Sequence, residues 1–175
     1  MTRLIWYSPA KRGSYEMPNS VTSIDKSVFY RNKYLTSIVI SNSIKGIRLD
    51  EFYVCKRLQS VTIPESVTFI DTAAFNRCRK LISVTISNSV DYIGDYAISI
   101  CSKLISIVIP NSVTRIDYCA FKFCGALASV SIPKSVTFID DNAFDDCSSL
   151  ASVEIPRGLE YSSTAFPEDT RITLV

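Results

Sequence analysis

A block of ten residues recurs along the chain at a fixed interval of 23 residues. Each block has leucine at its first position, valine or isoleucine at its fourth and isoleucine at its sixth. Apolar residues at the fourth and sixth positions alternate with polar or small residues, which is typical of a strand with one buried face. The chain is therefore predicted to repeat one strand-containing unit, with blocks beginning at Leu35, Leu58, Leu81, Leu104, Leu127 and Leu150.

A turn and a second short strand are predicted after each block. Proline or serine follows the last isoleucine, and a second apolar pair such as Val67 and Ile70 comes next. An aspartate such as Asp71 then precedes an alanine-phenylalanine pair, where we expect it to cap a short helical turn. One unit is thus strand, turn, short strand and helical turn. No unit can bury its apolar face without its neighbours, so the units must stack.

The two ends of the chain depart from the repeat, as the capping units of a repeat array do. Residues 1–13 are predicted to form an N-terminal cap segment, residues 14–170 a solenoid of six to seven repeats, and residues 171–175 a C-terminal edge strand. All belong to one domain. An uncovered apolar edge favours association, so a homo-oligomer through the terminal edges is one prediction.

The composition excludes several classes of function. The chain has no histidine, which removes catalytic triads based on histidine and imidazole metal sites. No apolar run is long enough to span a membrane. No signal peptide is visible, because the N-terminal apolar run of Leu4 to Tyr7 is too short. We therefore expect no enzyme activity and no cofactor.

The repeated pattern resembles the BspA-like, or treponemal-type, leucine-rich repeat. The pattern L-x-S-V-x-I-P-x-S-V-x-x-I-x-x-x-A-F-x-x-C carries the resemblance, for example from Leu58 to Cys78. The resemblance implies an α/β, β-rich, right-handed solenoid with a parallel sheet on its concave side. It also implies a secreted or cell-surface protein that binds proteins and has no catalytic residues. A cytoplasmic location is the alternative, since no signal peptide is visible.

One cysteine stands at the same position of five successive units, and we call this set the cysteine ladder. The C-x2-C pairs typical of zinc sites are absent, so no metal is predicted. Buried thiols are the favoured interpretation, while disulfides between adjacent rungs stay open because stacked strands are close enough. Cys119 stands at a variable position and is expected to be more exposed and reactive. The ladder comprises Cys55, Cys78, Cys101, Cys124 and Cys147.

The outward positions of the first strands are predicted to line the concave face, and we call them the strand face. Solenoids commonly bind partners along such a surface. A column of serine also lets strands pack closely, so a purely structural role is the alternative. The strand face comprises Ser37, Val39, Ser60, Thr62, Ser83, Thr85, Ser106, Val108, Ser129, Ser131 and Glu154.

Basic residues gather at the two positions before the block leucines, and we call them the basic ridge. They predict an acidic partner, such as a sulfated glycan, an acidic protein surface or phospholipid, whereas nucleic acid is not favoured. A solvated surface that keeps the loops soluble is the alternative. The ridge comprises Lys33, Lys56, Arg57, Arg79, Lys80 and Lys103, with Arg31 and Arg77 nearby.

Three aromatic residues and one arginine occupy a variable position of the second strand, and we call them the outer stripe. Stacking between the arginine and the rings predicts local stabilisation, and a sticky binding patch is the alternative. The outer stripe comprises Phe69, Tyr92, Arg115 and Phe138.

These features favour a non-enzymatic protein-protein interaction or adhesion module, whose partner is a host protein, a matrix protein or a second copy. A structural element that associates head to tail is the alternative. Residues 1–87 carry 13 Lys and Arg against 6 Asp and Glu, whereas residues 88–175 carry 6 against 11. The halves therefore have net charges of +7 and −5, which favours head-to-tail contact. An enzyme is the remote alternative.

Overall fold

The regular structure of this computed structural model consists of short parallel strands arranged in two rows. Residues 2–8, 11–25 and 27–175 are described. Each of six successive coils places one strand in the first row and one in the second, and the chain completes about seven coils. The strands of the first row are β2 (Gly13–Glu16), β4 (Leu35–Val39), β6 (Ser60–Thr62), β8 (Ser83–Thr85), β10 (Ser106–Val108), β12 (Ser129–Ser131), β14 (Ser152–Ile155) and β16 (Arg171–Leu174).

The first row is built from equivalent residues of successive coils. Strands β2, β4, β6 and β8 pair in that order, β10 pairs with β12, and β14 pairs with β16. Ser37 lies opposite Ser60, and Ser60 lies opposite Ser83, so the register follows the 23-residue interval. Strands β8 and β10, and likewise β12 and β14, contact each other without regular pairing.

The second row forms one sheet of six strands. Strands β5 (Gly46–Ile47), β7 (Phe69–Ile70), β9 (Tyr92–Ile93), β11 (Arg115–Ile116), β13 (Phe138–Ile139) and β15 (Glu160–Tyr161) pair in chain order. At the N-terminal end, β3 (Val21–Ile24) pairs with β1 (Thr2–Leu4). The ring of Phe69 lies over Gly46, and a Cβ there would lie 2.1 Å from Cζ of Phe69, so a larger residue would require the ring to move.

The segments predicted as helical turns contain no helix in the part of the chain that the structure describes, so that prediction is wrong. The backbone forms consecutive turns in which residues such as Ala73 and Arg77 are left-handed, with φ of 54° and 62°. Their N–H groups donate to the next coil, to the carbonyls of Asp95 and Ser99 at 2.8 Å. Those donors are therefore not free to close a helix.

The predicted aspartate caps are also corrected by the structure. Oδ1 of Asp71 accepts the N–H of Thr72 at 2.7 Å, and Oδ1 of Asp140 accepts the N–H of Asp141 at the same distance. A helix cap would accept from the second or third residue after it. The carboxylates therefore stabilise the start of a turn and do not cap the N-terminus of a helix.

The core lies between the two rows and consists of columns of equivalent side chains. The rings of Phe29, Phe52 and Phe75 are fully buried and stack face to face, with centroids 5.0 and 5.1 Å apart. The stack is interrupted at Ile98 and continues through the rings of Phe121, Phe144 and Phe166. The six block leucines are buried in a parallel column. The β-solenoid predicted from the repeat is confirmed, while its handedness and the concavity of the first row stay predictions.

The chain ends lie against the terminal coils. Tyr7 is buried, and its ring centroid lies 5.0 Å from that of Phe29, so it extends the aromatic column. At the other end, Val153 of β14 lies opposite Ile172 of β16.

Candidate functional site

The strand face is an ordered and almost uncharged surface. Its members project from β4, β6, β8, β10, β12 and β14, where Ser37 and Ser60 are half-buried and the other members are exposed. Val39 lies opposite Thr62, and Thr62 lies opposite Thr85. Glu154 is the one charged member. The structure thus brings the predicted residues together as two aligned columns.

Two exposed isoleucines beside the strand face were missed by the sequence analysis. Ile82 and Ile105 follow the block leucine in adjacent coils and are 45% and 55% exposed. The N–H of Ile105 donates to the carbonyl of Ile82 at 3.5 Å. Val108, at the end of β10 and three residues after Ile105, is 69% exposed. The sequence could have indicated these two residues, because this block position is otherwise small or polar. The other blocks have Thr36, Gln59, Ala128 and Ala151 there.

Part of the basic ridge lines a cleft, which we call the basic cleft. Its volume is about 570 Å³, and its lining is Arg31, Tyr53, Val54, Lys56, Arg77, Arg79 and Lys80. Three ridge residues, Lys56, Arg79 and Lys80, are therefore brought together with the two nearby arginines. Lys33 lines an adjacent cleft that shares Arg31, whereas Arg57 and Lys103 line neither.

The cations of the basic cleft have no carboxylate partner among the described residues. The ion pairs among the described residues all lie outside the cleft. They join Arg3 to Asp25, Arg115 to Asp117 and Asp140, and Lys122 to Asp145. The basic residues of the C-terminal half are thus partly neutralised, while those of the cleft are not. No Asp or Glu lines the cleft.

The outer stripe is held by contacts within the protein. The guanidinium of Arg115 lies 4.7 Å from the ring centroid of Phe138 and pairs with Asp117 and Asp140. The ring of Phe69 covers Gly46. These contacts occupy the groups that a partner would use, so they favour the stabilising interpretation of the stripe.

All six cysteines of the chain are free thiols and buried. Each ladder thiol donates to a backbone carbonyl of the preceding coil, for example Sγ of Cys78 to Phe52 at 3.1 Å and Sγ of Cys101 to Phe75 at 3.3 Å. Burial raises the pKa of Cys55, Cys101 and Cys124 well above the ordinary thiol value. The ladder therefore belongs to the packing of the core.

Cys119 is not an exposed reactive thiol, so that prediction is wrong. It is only 2% exposed, and burial raises its pKa. The residue sits in a left-handed turn with φ of 55°, beside the edge-to-face rings of Tyr96 and Tyr118. Although residue types vary at this repeat position, the Cys119 side chain is buried beside the rings of Tyr96 and Tyr118.

Glu51 is a buried carboxyl at a position that alanine occupies in five other coils. Its Oε2 atom is buried and has no hydrogen-bond partner among the described residues. Burial raises the pKa of Glu51 to about 7, although Arg48 acts to lower it. The other coils have Val28, Ala74, Ala97, Ala120, Ala143 and Ala165 at this position.

Other sites of chemistry are not found in the described ranges of the chain. No three Cys, Asp or Glu side chains there lie close enough together to hold a metal ion. No helix long and apolar enough to cross a membrane is present in those ranges.

The sequence matches the family described as "BspA type Leucine rich repeat region" in six copies, over residues 7–127 and 70–175. No curated protein matches the chain.

Solved bacterial structures share the fold. A leucine-rich repeat protein from Bacteroides ovatus has 31% identity and a TM-score of 0.82, over 93% of this chain and 42% of that protein. The T. pallidum leucine-rich repeat protein has 29% identity and a TM-score of 0.67, over 80% and 76%. A leucine-rich cell surface protein from Faecalibacterium prausnitzii has 27% identity and a TM-score of 0.67, over 86% and 48%. The chain thus spans less than half of two of these structures.

We predict that the stability of the protein falls as the pH rises toward 7 because of Glu51. Between its ordinary pKa of 4.5 and its folded pKa of about 7, the folded state holds a proton that the unfolded state has lost. Glu51→Gln should therefore stabilise the protein by about 2–3 kcal/mol near pH 8 and change it little near pH 4. Urea unfolding at the two pH values measures this difference.

The matched control is Glu65→Gln, since Glu65 is exposed in a loop. It should leave the free energy of unfolding nearly unchanged at both pH values. A Glu51→Gln effect of the same size at both pH values would contradict the assignment of a raised pKa.

Proposed function

Because the chain belongs to the BspA-type leucine-rich repeat family, we propose that it is a non-enzymatic module that binds a protein partner on the strand face. The observation that carries this proposal is the exposed apolar group of Ile82, Ile105 and Val108 on adjacent coils. Large apolar side chains in the middle of an otherwise polar surface are typical of a binding site. The uncharged columns around them supply a rim of hydroxyl groups.

The proposal extends to adhesion at a cell surface. One structural neighbour of the chain is a cell surface protein. The absence of histidine from the sequence supports a role without acid-base catalysis. A protein of the host or of the extracellular matrix is the partner that fits this setting.

We expect saturable binding to at least one member of a panel of immobilised collagen, laminin, fibronectin and fibrinogen, measured by surface plasmon resonance. Val108→Asp should weaken that binding by about tenfold or more, because a charge at the centre of an apolar contact must be desolvated. Asn111→Asp is the matched control, since Asn111 is an exposed loop residue of the same coil. It should change the affinity little.

Two results would contradict the proposal that the strand face binds a protein partner. One is the lack of saturable binding to every member of the panel, and the other is an equal loss for Val108→Asp and Asn111→Asp.

Head-to-tail self-association is the second candidate function. It is favoured by the charge difference between the halves, +7 for residues 1–87 and −5 for residues 88–175. It is also favoured by the cations of the basic cleft, which form no ion pair with any carboxylate that the structure describes. Light scattering at high protein concentration should show assemblies at low salt that dissociate as salt is added. A strict monomer at low salt would exclude this function.

A further inference from the structure

The basic cleft is formed by backbone segments whose conformation is fixed by hydrogen bonds between coils. Arg31, Val54 and Arg77 occupy the same position in three consecutive coils, and all are left-handed, with φ of 57°, 56° and 62°. Their N–H groups donate to the next coil, to the carbonyls of Tyr53, Asn76 and Ser99 at 2.7 to 2.9 Å. The backbone of the cleft is therefore fixed before any ligand arrives.

The side chain of the middle position opens the cleft. The backbone is also left-handed at this position in later coils, at Ile100 and Phe123, so the cleft is distinguished by the side chain at its centre, which is that of Val54. Its short side chain leaves a gap between the longer side chains of Arg31 and Arg77. Lys56, Arg79 and Lys80 complete the lining of this gap.

The positive charge of the cleft is not neutralised by nearby carboxylates, which favours a polyanion as its ligand. Five of its seven lining residues are Lys or Arg, and none is acidic. None of the five forms an ion pair with a carboxylate in the described parts of the chain. The guanidinium fork matches sulfate, phosphate and carboxylate groups, so a ligand with several such groups is favoured.

The spacing of the cations favours a linear chain that runs along the axis of the solenoid. Successive coils are about 5 Å apart, as the stacked rings of Phe29, Phe52 and Phe75 show with centroid distances of 5.0 and 5.1 Å. Arg31 and Arg77 are two coils apart, roughly 10 Å at the usual strand spacing. Each pyranose ring lengthens a polysaccharide chain by close to one strand spacing. The two rings of a disaccharide repeat therefore match the separation between Arg31 and Arg77.

The aromatic residue of the cleft argues against a single-stranded nucleic acid. Binding of unpaired bases needs exposed ring faces as stacking platforms. The ring of Tyr53 instead stacks on that of Tyr30, with centroids 5.4 Å apart and an angle of 15° between the planes. This contact occupies one face of the Tyr53 ring. The cleft thus offers charge along its length and few platforms for bases.

We infer that the basic cleft binds a sulfated polysaccharide chain through Arg31, Lys56, Arg77, Arg79 and Lys80. This inference goes beyond the proposed protein-binding function, because it concerns a different surface and a different class of ligand. The sulfate groups pair with cations of successive coils, and the sugar rings lie along the axis over Val54.

The test is calorimetric titration of the whole chain with a heparin octasaccharide. Lys56→Gln combined with Arg79→Gln removes two cations at positions that are not left-handed, so the fold is preserved. This double variant should bind at least about tenfold more weakly. Its plot of log K against log salt should be less steep by about two, since two fewer counterions are released.

The matched control is Lys134→Gln combined with Arg157→Gln. These exposed residues share a loop position after the first-row strands, outside the cleft, and their removal changes the net charge equally. The control should bind within about twofold of the parent. Val108→Asp should also bind normally, which separates this inference from the strand-face proposal.

Several results would overturn the inference. They are an equal loss of affinity in the matched control, undiminished binding of a fully desulfated octasaccharide, and no binding of the sulfated one. If oligothymidylate binds more tightly than the sulfated octasaccharide, and if that binding depends on Lys56 and Arg79, the cleft would be assigned to nucleic acid instead. The same dependence for phosphatidylserine vesicles, without oligosaccharide binding, would assign it to a membrane surface.

Discussion

Hydrogen bonds between adjacent coils are the interaction on which the rest of this structure depends. In the first and second rows they are the bonds of parallel strands. In the turns they continue, as when the N–H of Phe75 donates to the carbonyl of Ala97 at 2.7 Å. The ladder thiols add bonds to the preceding coil. Each coil thus satisfies its neighbours' backbone groups, and the interval of 23 residues is the condition for that alignment.

The same constraint separates residues that build the molecule from residues that give it a particular function. Most positions that face the core repeat, because identical rings and leucines stack at the coil spacing, with Ile98 and Glu51 as exceptions. Surface positions are free to change between coils. Ile82 and Ile105 depart from a mostly small or polar column on one surface, and Arg31 and Arg77 lie in a column without a shared residue type on another. The two proposed binding surfaces therefore include positions that vary between coils, and one fold can carry both.

Much of the fold could be predicted from the sequence, because the spacing of the apolar columns is a direct record of the stacking. The helical turns were wrong for a physical reason. Asp71 followed by an alanine-phenylalanine pair fits a local helix signal, yet the N–H groups of Ala73 and Phe75 bond to the next coil. Local patterns do not show such contacts. Cys119 was mispredicted similarly, since its cover comes from Tyr96 and Tyr118 in three dimensions.

The candidate sites could be predicted only in part. The basic ridge was visible as a run of charges, but its division into cleft residues and outlying Arg57 and Lys103 depends on how the loops turn. The left-handed backbone on which Val54 and its neighbouring arginines lie has no signature in the sequence. Ile82 and Ile105 could have been found, because they are the bulky members of a mostly small or polar column.

Substitution of two adjacent residues of β10 tests the stacked core most directly. Ile107 is 3% exposed and Val108 is 69% exposed, because neighbouring residues of a strand face opposite sides. Urea unfolding should show that Ile107→Asp lowers the free energy of unfolding by more than about 3 kcal/mol, since it buries an unpaired charge between coils. Val108→Asp should lower it by less than about 1 kcal/mol. Equal losses for the two variants would contradict the assignment of buried and exposed columns.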